Sequence, residues 1–455
     1  MQRLIRYCLL AASLITISAC RSASGDSTPS LTGPCEIALA PHAGDAKLDR
    51  EIAQIQQNIR ANLQPWQSSA LIEKLGWSFV EKARASFDPG FYKLAEQCAL
   101  CLESKQTDKQ ADKQADKQNG KQPADRPLQS PQSLRAAALL LRGHALHNLH
   151  RFSEAEKLAR ELVETRSLPY DFGLLGDVLM EQGKLDEAIL AYQKMMDLRP
   201  GPQAYSRAAH VRWLKGDLGG ARVLMRMAAQ AAGAGDAESA AWAWSRLALF
   251  ELQAGDVKRA HATCDAALEM QADYAPALLA RGRILLAENK AAEAVAPLER
   301  AARLNALPEY QWALADTLRA AGRHDEAQAV ESKLEAQGAG NDPRTFALYL
   351  TTRGQQAETA LRLAEEEIKV RRDVFTLDAL AWAQAANGAH DEAWKTMQSA
   401  LAQGTEDARL FLHAAAIASQ TGNRQDALRY AGKAAKIQST LLPSEKVRLK
   451  QLKTV

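Results

Sequence analysis

Phe172-Gly173-Leu174-Leu175-Gly176-Asp177-Val178-Leu179, followed after Gly183 by Leu185-Asp186-Glu187-Ala188-Ile189-Leu190-Ala191-Tyr192, decides the architecture of this 455-residue chain. In both stretches the apolar residues recur at three- and four-residue steps, which gives each one buried helical face. Gly183 supplies the positive φ that ends the first helix. Arg199-Pro200 closes the second, because proline lacks the amide donor and clashes with the preceding turn. Residues 169–202 therefore read as helix, tight turn, helix.

The unit recurs. Ala155, Ala188, Ala221, Ala260, Ala294, Ala327, Ala360, Ala393 and Ala427 follow one another at steps of 33, 33, 39, 34, 33, 33, 33 and 34 residues. Five residues before each stands a turn former: Gly183, Gly216, Gly255, Gly322, Gly388 and Gly422, with His150, Asn289 and Gln355 completing the column. A period of this length marks stacked copies of one supersecondary unit. One copy cannot bury its own apolar face, so its neighbours supply the core. The alanine has a steric reason, since two helices approach closely only where a side chain is small.

These residues resemble the tetratricopeptide repeat, whose pattern is a large residue, Leu-Gly, an aromatic or leucine, Gly-x-Tyr-x-x-Ala and a closing proline. The 169–202 unit matches nearly every column. Six units depart at the glycine before the turn, which is Ala209, Ala248, Ala315, Leu348, Ala381 or Ala415. Alanine substitutes there readily, and Leu348 weakens its own unit. The resemblance covers residues 134–440. It implies an all-α fold, a right-handed superhelical solenoid of helix-turn-helix repeats, and a bias towards binding over catalysis.

The N-terminus carries a second signal. Arg3 and Arg6 precede an apolar run from Tyr7 to Ile17, too short for a stable span and proportioned like a secretory signal. The run ends Ile17-Ser18-Ala19-Cys20, which resembles a bacterial lipobox in which Cys20 becomes the acylated first residue. The bulky Ile17 makes an ordinary cleavage site a poor alternative. By the family's sorting rule, Arg21 in place of aspartate points to the outer membrane, facing the periplasm. Loss of residues 1–19 removes two arginines and lowers the formal charge from +3 to +1. That balance gives nucleic-acid binding no support.

The remaining organisation follows composition. Residues 20–46 read as a lipidated tether. Residues 47–104 read as N-terminal helices, first through Leu48, Ile52, Ile55, Ile59 and Leu63, then as a degenerate repeat or cap with Leu75-Gly76 and Leu94-Ala95. Residues 105–133, containing the Asp-Lys-Gln-Ala tandem from Asp108 to Gln118, read as a low-complexity linker that buries too little to offset its ordering entropy. Residues 441–455 read as a C-terminal helix that shields the last repeat.

Cys98-Ala-Leu-Cys101 is the motif with several readings. A redox pair or half a metal site is one, although no βαβ pattern surrounds it and Leu102 excludes haem attachment. In an oxidising compartment Cys35 could pair with either cysteine, or the thiols could stay free. Cys264 reads as a small core residue. His144, His147 and His150 stand three apart, so two imidazoles could share a metal while the third swings away. An envelope accessory role through Cys98/Cys101 and His144/His147 is thus the alternative to a binding scaffold. His324-Asp325-Glu326 and His390-Asp391-Glu392 open second helices, where acids suit the positive end of the dipole. No hydrolase, zincin or phosphate-loop motif occurs. The sequence implies no cofactor, no resident metal and no catalytic residue.

What remains is the inner face of each first helix. Register from the alanines places Tyr170, Asp177, His210, Trp213, Trp242, Arg283, Trp312, Asp316, Arg319, Tyr349, Arg353 and Trp382 on or near it. Tryptophan, tyrosine and arginine dominate binding hot spots, so the expected partner is a protein or extended peptide in this groove. Several of the tryptophans could instead plug gaps between helices. Leu140 and His144 stand where a carboxylate-gripping repeat would carry lysine and asparagine, so that mode is not indicated.

Overall fold

The computed structural model describes residues 33–61, 65–118 and 131–452. Cys20 and the apolar run before it lie outside these residues. Among the described residues the regular structure is helical, and no helix is long and apolar enough to cross a membrane.

The chain opens with α1 (Pro34–Ala38), α2 (Lys47–Arg60), α3 (Pro65–Ser86) and α4 (Gly90–Gln118). Nine helical pairs follow: α5/α6 (Pro131–Asn148, Phe152–Thr165), α7/α8 (Pro169–Glu181, Leu185–Leu198), α9/α10 (Pro202–Leu214, Leu218–Ala232) and α11/α12 (Ala237–Gln253, Val257–Met270). The series continues with α13/α14 (Ala275–Ala287, Ala291–Leu304), α15/α16 (Pro308–Ala320, His324–Asn341), α17/α18 (Pro343–Arg353, Ala357–Val370), α19/α20 (Val374–Ala386, His390–Leu401) and α21/α22 (Ala408–Gln420, Arg424–Lys436). A last helix, α23 (Pro443–Leu452), closes the described chain.

Each pair is built as the repeat demands. Eight of the nine column alanines are fully buried, while Ala427 of the last pair is half-buried because no complete tenth pair covers it. Gly183, Gly216, Gly255, Gly322, Gly388 and Gly422 all take φ near +80°, and His150 and Asn289 take φ of 58° and 61°. The seventh pair differs from expectation: Gly354, not Gln355, carries the positive φ, so α17 stops at Arg353. Glycine reaches the left-handed region without the cost a side chain incurs, and it sets the end of the helix. At Gly176 an added Cβ would stand 2.3 Å from the ring of Tyr192, and at Gly282 2.3 Å from Leu298. Where Leu348 replaces that glycine, the partner four residues beyond the column alanine is Ala364. The large and small residues have exchanged places, so Leu348 does not weaken its unit.

The superhelix turns tightly enough to touch itself after about six pairs. The last carbonyls of a helix lack intrahelical partners, and the next superhelical turn supplies them. Arg372 N–H donates to the Glu181 carbonyl at 2.8 Å. Thr405 Oγ1 donates to Leu214 at 2.8 Å, and Ser439 Oγ to Leu252 at 2.9 Å. Gln253 Nε2 donates to the Glu406 carbonyl at 2.6 Å. Buried Arg371 ties the seam at its start, reaching Glu181 at 3.1 Å and His150 at 3.1 Å.

The N-terminal expectations need two corrections. Residues 33–46 are not all tether: α1 lies here, and a disulfide joins Cys35 to Cys101 in α4. Residues 105–118 are helical, as the continuation of α4. Lysine, glutamine and alanine are strong helix formers. α3 and α4 pack as a pair against α5, with Leu75, Phe79, Ala95 and Leu102 buried, and so extend the stack by one degenerate unit.

Candidate partner-binding groove

The inner helices place the predicted residues in very different surroundings. Counting back from the column alanines, position −18 is Tyr170 in the second pair, Trp242 in the fourth, Glu309 in the sixth, Phe375 in the eighth and Arg409 in the ninth. Position −11 is His144, Asp177, His210, Leu249, Arg283, Asp316, Tyr349, Trp382 and Ala416 in order. Tyr170 and Trp242 are 42% and 38% exposed. Trp213, Trp312, Tyr349 and Trp382 are 8%, 2%, 1% and 3% exposed, so they are core residues and not an open binding strip. Trp213 is covered at the seam, where it stacks on Phe375 from the next superhelical turn at 5.7 Å and donates from Nε1 to Gln253 at 2.8 Å.

The arginines are similarly divided. Arg319 and Arg353 both converge on Glu331 of α16, at 2.9 and 3.6 Å. They neutralise a buried carboxylate and are not free to receive a ligand. Arg283 pairs with Glu309 at 2.9 Å. Arg207 of α9, which sequence reasoning did not single out, donates from Nε to Asp177 at 2.8 Å, and Tyr192 donates to the same oxygen at 2.8 Å. Burial alone would raise the Asp177 carboxyl; Arg207 more than reverses that and holds it below the usual range. Arg246 of α11 lies over the Phe250 ring at 5.7 Å and has no carboxylate in ion-pair reach among the described residues. Burial pulls its pKa down, with Glu309 opposing and Arg283 reinforcing the shift.

His210 stacks on Trp213 at 5.7 Å, and burial followed by the Arg246 charge pushes it down to about 4. It is neutral at pH 7. It lines a cleft of about 210 Å³ between the two superhelical turns, together with Met180, Glu181, Arg344, Asp373 and Phe375. From α7 to α13 the inner face thus offers two exposed aromatic rings and three successive arginines, one of them without a carboxylate partner.

The alternative chemistry does not assemble. Cys101 is committed to Cys35, and Cys98 is a buried thiol whose pKa burial pushes far above the usual value. The pair Cys98/Cys101 is therefore not a dithiol. His144 packs against Trp77 and Tyr92, while His147 and His150 both pack against Phe152 and His150 also receives Arg371, so each imidazole is taken up by aromatic or arginine neighbours. Burial pushes His144 down to about 3 and His150 to about 4. Cys264 is buried, as expected, and its thiol donates to the Ala277 carbonyl at 3.3 Å.

Residues 172–202 match the family model described as tetratricopeptide repeat. No curated protein matches the chain. Among solved structures, a tetratricopeptide repeat protein from Parabacteroides merdae is similar at 16% identity, covering 56% of this chain and 97% of its own, with a TM-score of 0.32. The human IFIT1 dimer is similar at 12% identity over 90% of this chain and 96% of its own, TM-score 0.43. Yeast Tom70 gives 13%, 90%, 96% and 0.37 respectively. The described chain is an all-α superhelical solenoid of helix-turn-helix pairs, of which residues 172–202 match the tetratricopeptide repeat.

Proposed function

We propose that this protein is a non-catalytic scaffold, held at a bacterial membrane through lipid on Cys20, that binds a protein or extended peptide along the inner face of α7–α13. The observation that carries the reading is the exposure of Tyr170 and Trp242 at one register position, with Arg246 one helical turn from Trp242 and without a carboxylate partner among the described residues. Large aromatics and arginine dominate hot spots. A guanidinium without a carboxylate partner favours an acidic segment, which would gain a charge-assisted hydrogen bond there. The lipobox-like Ile17-Ser18-Ala19-Cys20 supports an outer-membrane anchor facing the periplasm.

The test begins with a partner captured by crosslinking from envelope extracts. Tyr170→Ala, Trp242→Ala and Arg246→Ala should keep wild-type helicity, and each true anchor should lose at least about 2 kcal/mol of affinity. Normal binding by all three, with loss from changes on outer helices, rejects the groove. Cys20→Ala should abolish acyl labelling; unchanged acylation rejects the anchor.

A further inference from the structure

The C-terminal helix goes further than shielding the last pair. α23 has ten residues, about 15 Å of helix, yet it touches five successive pairs. Lys446 Nζ donates to the Leu286 carbonyl at 3.1 Å, and Ser444 donates from both N–H and Oγ to Asp316 Oδ2 at 3.0 Å. Arg448 lies over the Trp382 ring at 4.9 Å and reaches the Thr352 carbonyl. Glu445, fully buried, is held by Arg409 and by the Leu442 N–H at 2.7 Å. Leu441, Leu442 and Leu449 are buried. A short helix meets α13, α15, α17, α19 and α21 together only from inside the superhelix. Its partners Asp316 and Trp382 occupy the −11 register position, and Leu286 and Thr352 the −8 position, of the inner face.

The fit is incomplete in a particular way. Trp312 Nε1, Tyr349 Oη and His413 Nε2 are buried on the same inner helices and form no hydrogen bond. Tyr349 packs on Trp312, which lies under Arg409, the partner of Glu445, at 4.6 Å, and His413 stacks at 4.4 Å on Trp382, which lies under Arg448 of α23. Buried polar groups are nearly always bonded, and two of these are donors that α23 supplies with no acceptor.

We propose that α23 is an internal ligand of a peptide site formed by the inner faces of α13–α21. The external ligand of that site is a helical peptide of the same chemistry: two leucines before the helix start, a serine and a glutamate in its first turn, a basic residue one turn on, and further acceptors for Trp312 and Tyr349. Release of α23 opens the site. The inference does not depend on what binds between α7 and α13.

A fluorescent peptide of residues 438–455 tests this on the full-length chain. Wild type should bind it weakly, because its own α23 is in place. A Glu445→Gln chain should bind it at least tenfold more tightly, with faster hydrogen exchange confined to α23; Ser444→Ala should give a smaller gain. An Arg409→Gln chain should also release α23 but not gain peptide affinity, since the site itself has lost its carboxylate partner. Unimproved binding by a Glu445→Gln chain with a loosened α23 overturns the proposal. So does global loss of helicity in that chain, or exchange of α23 only with the whole fold, because either makes the helix inseparable from the solenoid.

Discussion

Between α7 and α13 and between α15 and α21 the same register positions carry opposite tasks. In the first region position −18 presents Tyr170 and Trp242 to solvent. In the second it gives Phe375 to the stack on Trp213 and Arg409 to Glu445 of α23. Position −11 likewise passes from His210, beside an open cleft, to Asp316 and Trp382 under the C-terminal helix. An inner face in a repeat protein is therefore only a potential surface. Whether it binds or packs depends on how tightly the superhelix turns and on what segment enters it.

The largest break in this comparison should come from truncating one tryptophan on each side. Trp382→Ala removes a buried ring between His413 and Arg448 and should cost about 3–5 kcal/mol in denaturant unfolding. Trp242→Ala, which truncates a ring that is 38% exposed, should cost clearly less in the same assay. Equal losses would erase the distinction. A smaller contrast separates an inner pair from the terminal one. Ala188→Leu should cost about 1–3 kcal/mol by overpacking a fully buried contact. Ala427→Leu, at the half-buried end, should cost clearly less in the same assay.

The repeat itself was legible because each column answers to local sterics. Nine alanines and their turn residues fix nine pairs, and the only turn misplaced by one residue is the one where Gly354 stands beside Gln355. The Leu348–Ala364 exchange was also written in the sequence, but reading it takes two columns together. The site was legible by face and not by exposure. Trp213, Trp312, Tyr349 and Trp382 lie on inner helices, as expected, but Trp213 is covered where superhelical turns meet, Trp312 by Tyr349 and Arg409, and Trp382 by His413 and Arg448 of α23. The residues that close this seam, Arg371, Thr405, Ser439 and Ser444, lie in links and tail outside the repeat register, so periodicity carries no signal for them. The cysteine pairing was open between Cys98 and Cys101; the face of α4 that meets α1 settles it on Cys101.

Acid sharpens the comparison on the occupied side. Burial pushes Asp316 up to about 6 against the two hydrogen bonds from Ser444. A carboxyl with a folded pKa above its unfolded value contributes stability that is full below pH 3.8 and lost as pH rises to about 6. Stability from this contact should therefore increase on going from pH 7.5 to 4.5. Asp316→Asn, which stays neutral, should be more stable than wild type by about 1–2 kcal/mol at pH 7.5 and equal to it near pH 4. A difference that is independent of pH contradicts the assignment.

Oxidative footprinting of the native full-length chain at pH 7 tests the account most directly, because it reads side-chain exposure residue by residue. Tyr170 and Trp242 should react rapidly, while Trp213, Trp312, Tyr349 and Trp382 should be protected until the chain unfolds. Reaction of Trp312 and Trp382 at the rate of Trp242 in the folded protein would show an inner face open along its whole length, and would contradict the division between an available and an occupied groove.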